Sequence, residues 1–114
     1  TFYILQRLLT GVVFFGTLPK MRERFKDEMT ATIFEGTTLK GISLELAKQA
    51  KKKIVLLITA TRLDDLRVPP GNRLEKLEGD RKGQHSIRVN DQWRICFVWR
   101  DGQADEIEWC DYHS

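Results

Sequence analysis

Near its end the sequence carries Asp111-Tyr112-His113, a carboxylate, a phenol and an imidazole at three consecutive positions before Ser114. An unperturbed imidazole titrates at about 6.5, which suits proton transfer near neutrality. Upstream, Arg94 offers a permanent, planar cation. Arg73, Lys76, Arg81, Lys82 and Arg88 precede it and could track a phosphate backbone. These residue types suit the cleavage of RNA without a metal. The ribose 2′-OH attacks the adjacent phosphate. That step needs a base near the hydroxyl, a cation on the developing phosphorane charge and an acid for the leaving 5′ oxygen. DNA lacks the 2′-OH, so such a site selects RNA.

Each of these residues also has an ordinary structural role. A histidine beside a C-terminus is usually solvated. Asp111 can simply pair with a nearby arginine, and Tyr112 can pack with a wet hydroxyl. His85 falls on an apolar face, as a hydrogen-bonded core or rim residue. Trp93, Trp99 and Trp109 read first as packing and second as platforms for stacked bases. Cys96 and Cys110 form no CxxC pair, and the two histidines lack zinc spacing, so no metal site is expected. The default for both cysteines is a buried, reduced thiol. A disulfide stays open, because both fall on neighbouring predicted strands.

The distribution of charge supports a polyanion-binding face. The 114 residues carry a net charge of +3, with a pI near 9.0. Residues 71–100 hold seven Lys/Arg against four acids, and residues 43–60 hold four Lys against one Glu. The last fourteen residues hold five acids and no Lys or Arg. Such a basic surface beside an acidic terminal strand fits either that face or an ordinary solvated surface. A hydrophobic fraction of 41% excludes disorder, and the length allows one domain with a modest core.

The elements that must position these residues follow from periodicity. Arg22–Phe25 predicts a short edge strand. Lys26–Phe34 predicts a helix with Met29, Ile33 and Phe34 on one face, stopped at Gly36. Ser43 is a good N-cap for a second helix. Along it Leu44, Ala47, Ala50, Ile54, Leu57 and Ile58 recur at helical spacing, with Lys51–Lys53 mostly outside. Thr61 and Asp64 suggest a capping box over the single turn Arg62–Leu66. Val68-Pro69-Pro70-Gly71 ends that turn and leads into a sheet.

After Gly71 the pattern is that of strands. Leu74 and Leu77 flank a first short one, and Gly79–Gly83 is a basic loop. His85, Ile87 and Val89 alternate with polar residues, as do Trp93, Ile95, Phe97 and Trp99, and then Ile107 and Trp109. This predicts a sheet covered on one side. A three-residue loop at Asn90–Gln92 pairs Ile87 with Ile95, whereas a two-residue loop would mix the faces. Similar logic predicts a three-residue loop at Arg100-Asp101-Gly102, with Gly102 in a left-handed bulge position. Ile95 then lies opposite Ile107, and Trp93 opposite Trp109. Arg88, Arg94 and Tyr112 project from the other, open face.

The first twenty residues, TFYILQRLLTGVVFFGTLPK, are apolar and aromatic. Three readings compete: the remnant of a signal or anchor, an added element packed on the domain, or upstream sequence before a functional start at Met21. The last is preferred, which divides the chain into a leader at 1–20 and a domain at 21–114.

From the residues alone the chain reads as a basic α+β domain with a candidate nucleic-acid face. The run DDLRVPPGNRLEKLEGDRKGQHSIRVNDQWRICFVW, followed by Asp101-Gly102 and the terminal Asp111-Tyr112-His113, closely resembles HigB-type toxins of the RelE superfamily. MRERFKDEMTATIFEG resembles the N-terminal strand and helix of that family, in an alignment that starts at Met21. The resemblance implies an α+β RelE-like fold, with two to three N-terminal helices on a twisted antiparallel sheet of three to five strands. It implies ribosome-dependent cleavage of mRNA in the cytoplasm, with no metal or organic cofactor and no membrane. It implies a HigA-type helix-turn-helix antitoxin as partner, through which operator DNA is met only indirectly. Trp93-Arg94 matches the family's tryptophan-arginine pair, giving Arg94 the phosphate-stabilising role. Asp111, Tyr112 and His113 inherit the catalytic cluster, with His113 expected to move the proton. Glu75 stands where some relatives carry a histidine, and Glu78 where many carry a lysine. Trp109-Cys110 is bulkier than the expected strand end. These departures motivate an alternative, a catalytically weak module that binds its antitoxin and helps regulate the operon.

Overall fold

The computed structural model describes residues 21–36 and 39–111. The leader at 1–20 and the terminal Tyr112 and His113 lie outside the described residues. The described elements are α1 (Glu28–Glu35), α2 (Leu44–Thr59), β1 (Glu75–Lys76), β2 (His85–Arg88), β3 (Trp93–Arg100) and β4 (Gln103–Asp111), with short 3-10 turns at Leu63–Arg67, Pro70–Asn72 and Gly79–Arg81. The strands form one antiparallel sheet in the order β1-β2-β3-β4. Two helices on a four-stranded sheet is the expected α+β, RelE-like arrangement. No helix among the described residues is long and apolar enough to cross a membrane.

Helix α1 starts at Asp27, whose carboxylate accepts from the Thr30 N–H and hydroxyl. Gly36 ends it in the left-handed conformation, at φ 86°. Thr30 is fully buried, and its hydroxyl oxygen also accepts from the Trp109 N–H at 2.9 Å, fastening α1 to β4. The inward face carries Thr30, Ala31, Ile33 and Phe34. Met29 does not join it and is 43% exposed, because the helix is rotated relative to the expected face.

Ser43 caps α2 as expected, accepting from Leu46 N–H. Ala47, Ala50, Ile54 and Leu57 are buried, whereas Leu44 points outward in the first turn. Lys53 departs from the solvated-face expectation. It turns toward the Pro70–Asn72 turn and donates to Asn72 Oδ1. Asn72 is fully buried and donates to the carbonyls of Leu66 and Val68, so one side chain ties the prolyl connector to α2. In the preceding turn the cap is Asp65 rather than Asp64, accepting from the N–H groups of Thr61 and Arg62.

The β2–β3 register is the expected one, with Ile87 opposite Ile95 and the Val89 N–H bonded to Trp93 O. The β3–β4 register differs by two residues. Ile95 lies opposite Trp109, and Trp93 opposite Asp111. Two local features produce this shift. Arg100 pairs with Gln103, so the loop is only Asp101-Gly102. Both residues have positive φ, 53° and 78°, as a two-residue hairpin of type I′ requires. That loop alone would set polar residues of β4 against the core. A bulge between Cys96 and Val98, with Glu106 at φ 47°, supplies one extra residue and restores the parity. Ile107 and Trp109 therefore point inward, beside Ile87, Ile95, Phe97, Ile54 and Leu57.

The bulge also alters the expected edge strand at Arg22–Phe25, which shrinks to one bridge, Phe25 to Ile107. Ile107 N–H donates to Arg24 O, and Ile107 O accepts from Lys26 N–H. The backbone groups freed by the bulge are thereby satisfied.

Candidate active site

Strand alternation sends Ser86, Arg88, Arg94, Cys96, Glu108 and Cys110 to the face away from the helices. That face is not open at its centre. Arg94 is only 5% exposed. The chain folds back over it through the Pro70–Asn72 turn, and Arg73 adopts a left-handed conformation at φ 45°. This bend aims the Arg73 carbonyl at the guanidinium.

Arg94 is consequently held by directed bonds. Its Nε donates to Ser86 Oγ at 2.7 Å. Its Nη2 donates to Arg73 O at 2.6 Å and to Ser86 O at 3.3 Å. Glu75 Oε2 on β1 approaches the same Nη2 at 3.8 Å. Burial strengthens each of these interactions and excludes water from the cation. A planar guanidinium fixed in this way is pre-aimed for an oxyanion, with little reorganisation left to do.

Asp111 ends β4 on the strand beside Arg94, one residue after Cys110, the residue paired with Arg94. Its Oδ2 accepts from Gln92 Nε2 at 3.3 Å. Asp111 pairs with Trp93, so alternation sets it on the Trp93 and Trp109 side of the sheet; it shares a neighbouring strand with Arg94 but not a face. Tyr112 and His113 follow directly in sequence, outside the described residues.

The expected basic rim is dispersed. Arg88 lies opposite Arg94, at the β2 end, and pairs with the exposed Asp91 at 2.5 Å. Arg81 is committed to Glu108 through both nitrogens, at 3.0 and 3.4 Å. The Glu108 hydrogen bond leads the causes that push the Arg81 guanidinium above its ordinary value. Arg73 and Lys82 are exposed. Lys76 pairs with His85 and so belongs to the opposite face from Arg94. It is not gathered into the site. His85 stacks on Phe97 at 6.0 Å on that same opposite face, away from Arg94. Burial, then Lys76 and Arg67, hold it below the ordinary histidine value.

Glu75 is the acid that does enter the site. Ser86 and the Arg73 carbonyl, the two principal anchors of Arg94, carry no sequence signature of their own. Ser86 was legible only as a neighbour of Arg94 on the face opposite Ile87 and Ile95.

Residues 23–113 match the sequence model of the family described as RelE-like toxin of type II toxin-antitoxin system HigB. The chain belongs to this HigB-like family. Toxin HigB-1 of Vibrio cholerae serotype O1 is 41% identical over 85 residues, spanning 74% of this chain and 90% of that protein. Endoribonuclease HigB of Proteus vulgaris is 31% identical over 97 residues, spanning 82% of this chain and 100% of that protein. An uncharacterized protein of Haemophilus influenzae is 32% identical over 94 residues, spanning 82% and 92%. As a HigB-like toxin of a type II system, the chain has an antitoxin as its partner class.

Proposed function

We propose that the chain is an endoribonuclease that cleaves mRNA on the ribosome, by 2′-OH attack on the adjacent phosphate and without a metal. The observation that carries this reading is Arg94 itself, buried and held by Ser86 and the Arg73 carbonyl with Glu75 close by. A phosphorane forming against that guanidinium gains charge stabilisation where water cannot compete. Asp111, Tyr112 and His113 complete the set, with His113 moving the proton and the other two orienting it or the RNA. Arg73, Lys82 and Arg88 are the cations best placed to meet the strand. Arg81 contributes less, because Glu108 already neutralises it, and Lys76 faces away. The relative named Endoribonuclease HigB supports the activity.

The proposal extends to a HigA-type antitoxin, with operator DNA met only through it, and to a cytoplasmic setting on the ribosome. It takes residues 21–114 as the toxin domain, in keeping with a family match that begins at residue 23.

Glu75 favours a second reading, that of a weak or inactive toxin kept for antitoxin binding. Its carboxylate competes with any phosphate for Arg94. Induced expression in cells separates the two. Growth arrest with cuts inside translated codons, both relieved by Arg94→Ala or His113→Ala, is the expected result. Arrest that persists undiminished in both variants would show that the assigned site is wrong. An intact chain that binds antitoxin but leaves mRNA uncut would establish the second reading.

A further inference from the structure

The Arg94 face carries two thiols that the cleavage chemistry does not use. Cys96 lies opposite Glu108, and Cys110 lies opposite Arg94. The two cysteines are therefore diagonal neighbours on adjacent antiparallel strands, with side chains on one face. Both are reduced and buried, Cys96 at 4% exposure and Cys110 at 9%. The Cys110 thiol donates to the Glu108 carbonyl at 3.6 Å. The neighbouring Cys110 thiol leads in holding the Cys96 thiol below its ordinary value, with Arg81 and Arg94 adding to it against burial. Its proximity to Cys96, together with burial, raises Cys110. The register therefore sets two buried sulfurs side by side on one face of the sheet, Cys96 being the more readily ionised.

We propose that Cys96 and Cys110 are a peroxide-oxidised thiol pair whose disulfide displaces the end of β4 and slows RNA cleavage. The effect on cleavage rests on the nuclease reading above; the disulfide itself does not. In the first step the Cys96 thiolate attacks one oxygen of hydrogen peroxide. An S–O bond forms, the O–O bond breaks, and the departing hydroxide takes the proton given up by Cys96 to become water. The Cys110 sulfur then attacks the sulfenic sulfur. The S–S bond forms, the S–O bond breaks, and the second hydroxide leaves with the Cys110 proton as water. Two thiols have lost two electrons, and one peroxide has been reduced to two waters. Peroxide is small enough to reach sulfurs that a bulky oxidant would not.

The consequence follows from strand geometry. Diagonal residues of an antiparallel pair have Cα atoms roughly 7–8 Å apart. A disulfide requires about 4.4–6.8 Å. Closure must draw β4 toward Cys96 by about an ångström at Cys110, the residue that pairs with Arg94 and precedes Asp111. A shift of that size between catalytic groups costs on the order of a hundredfold in rate. The strain that moves the strand also makes the bond easier to reduce, so a cellular dithiol reopens it.

The test uses the full chain, reduced and then exposed to hydrogen peroxide. Peptide mapping reads the linkage, tryptophan emission reads the strand, and cleavage of ribosome-bound mRNA reads the site. Trp93 and Trp109 stack at 4.7 Å beside Cys110, so their emission reports movement there. The expected result is one intrachain Cys96–Cys110 linkage, altered emission, and cleavage slowed on the order of tenfold to a hundredfold, all reversed by dithiothreitol. Cys96→Ala and Cys110→Ala, each repeated as Ser to guard against a folding defect, should keep basal cleavage and lose the response. Absence of that linkage overturns the proposal, and so does a linkage that leaves cleavage and emission unchanged. If the reduced chain cleaves nothing, the nuclease reading fails by itself. The linkage and the emission change would still decide the thiol pair.

Discussion

Ser86→Ala is the sharpest probe of the arginine clamp. Ser86 is fully buried and Arg94 is 5% exposed. The Nε–Oγ bond between them is 2.7 Å long. A hydrogen bond to a charged group contributes about 1.5–3 kcal/mol, and here no solvent can take the place of the lost hydroxyl. Unfolding in urea should become easier by about that amount. With a slope of roughly 1–3 kcal/mol per molar, the midpoint falls by about 1 M. If the loss is felt equally in the transition state, cleavage slows by about ten- to a hundredfold, at about 1.4 kcal/mol per decade. Arg94→Met alone should cost about 1–3 kcal/mol for each buried acceptor it strands. The double variant removes both partners and should recover part of that cost. A double-mutant cycle followed by tryptophan fluorescence measures the coupling directly. A coupling below about 0.5 kcal/mol would mean that Ser86 does not hold Arg94 and that the cation is not pre-aimed by it.

Asn72→Ala should lower stability by about 2–4 kcal/mol in calorimetry, because Leu66 O, Val68 O and Lys53 Nζ lose a shared buried partner. His85→Phe should flatten the decline of stability in acid. His85 is held below its ordinary value, so as the pH falls through about 6.5 the unfolded chain takes up a proton that the folded chain refuses. Stability is therefore complete above that pH and is lost below it, and thermal melts between pH 7 and 5 read the slope. Lys82→Ala and Arg88→Ala should each reduce the salt dependence of RNA binding by about 0.7 in logarithmic slope. Lys76→Ala should leave it unchanged, because Lys76 shares its face with His85 rather than with Arg94.

The parts of the fold that were legible in the sequence are those set by parity and by caps. Alternation in β2 and β3, with one loop of odd length, fixed which residues share a face, and Ile87 duly meets Ile95. Ser43 and Gly36 marked helix ends because a hydroxyl and a left-handed position are local requirements. Absolute register was not legible at β3–β4. A three-residue loop and a two-residue loop with a bulge give the same inside–outside pattern, two residues apart. Only the positive φ of Asp101 and Glu106 distinguishes them. Nor was the burial of Arg94 legible. Alternation names the face of a side chain but not whether a loop returns over that face. Arg73, a residue read for its charge, matters there through its carbonyl.

That burial bears on why the arginine is there. Taking a guanidinium out of water costs several kcal/mol, and well-packed apolar residues of similar volume are often as stable or more so. Stability alone therefore gives little reason to keep a cation between β2 and β4. The chain nevertheless provides two backbone carbonyls, a hydroxyl and a carboxylate to hold it, and adopts a left-handed conformation at Arg73 to bring one of them into place. In the other ion pairs among the described residues the cation is 31% exposed or more. Arg88 with Asp91 and Arg100 with Asp105 and Glu106 are partly exposed pairs, and pairs near solvent contribute little. The contrast sets Arg94 apart as a buried, directionally held charge, which is what the proposed role of meeting a phosphate requires.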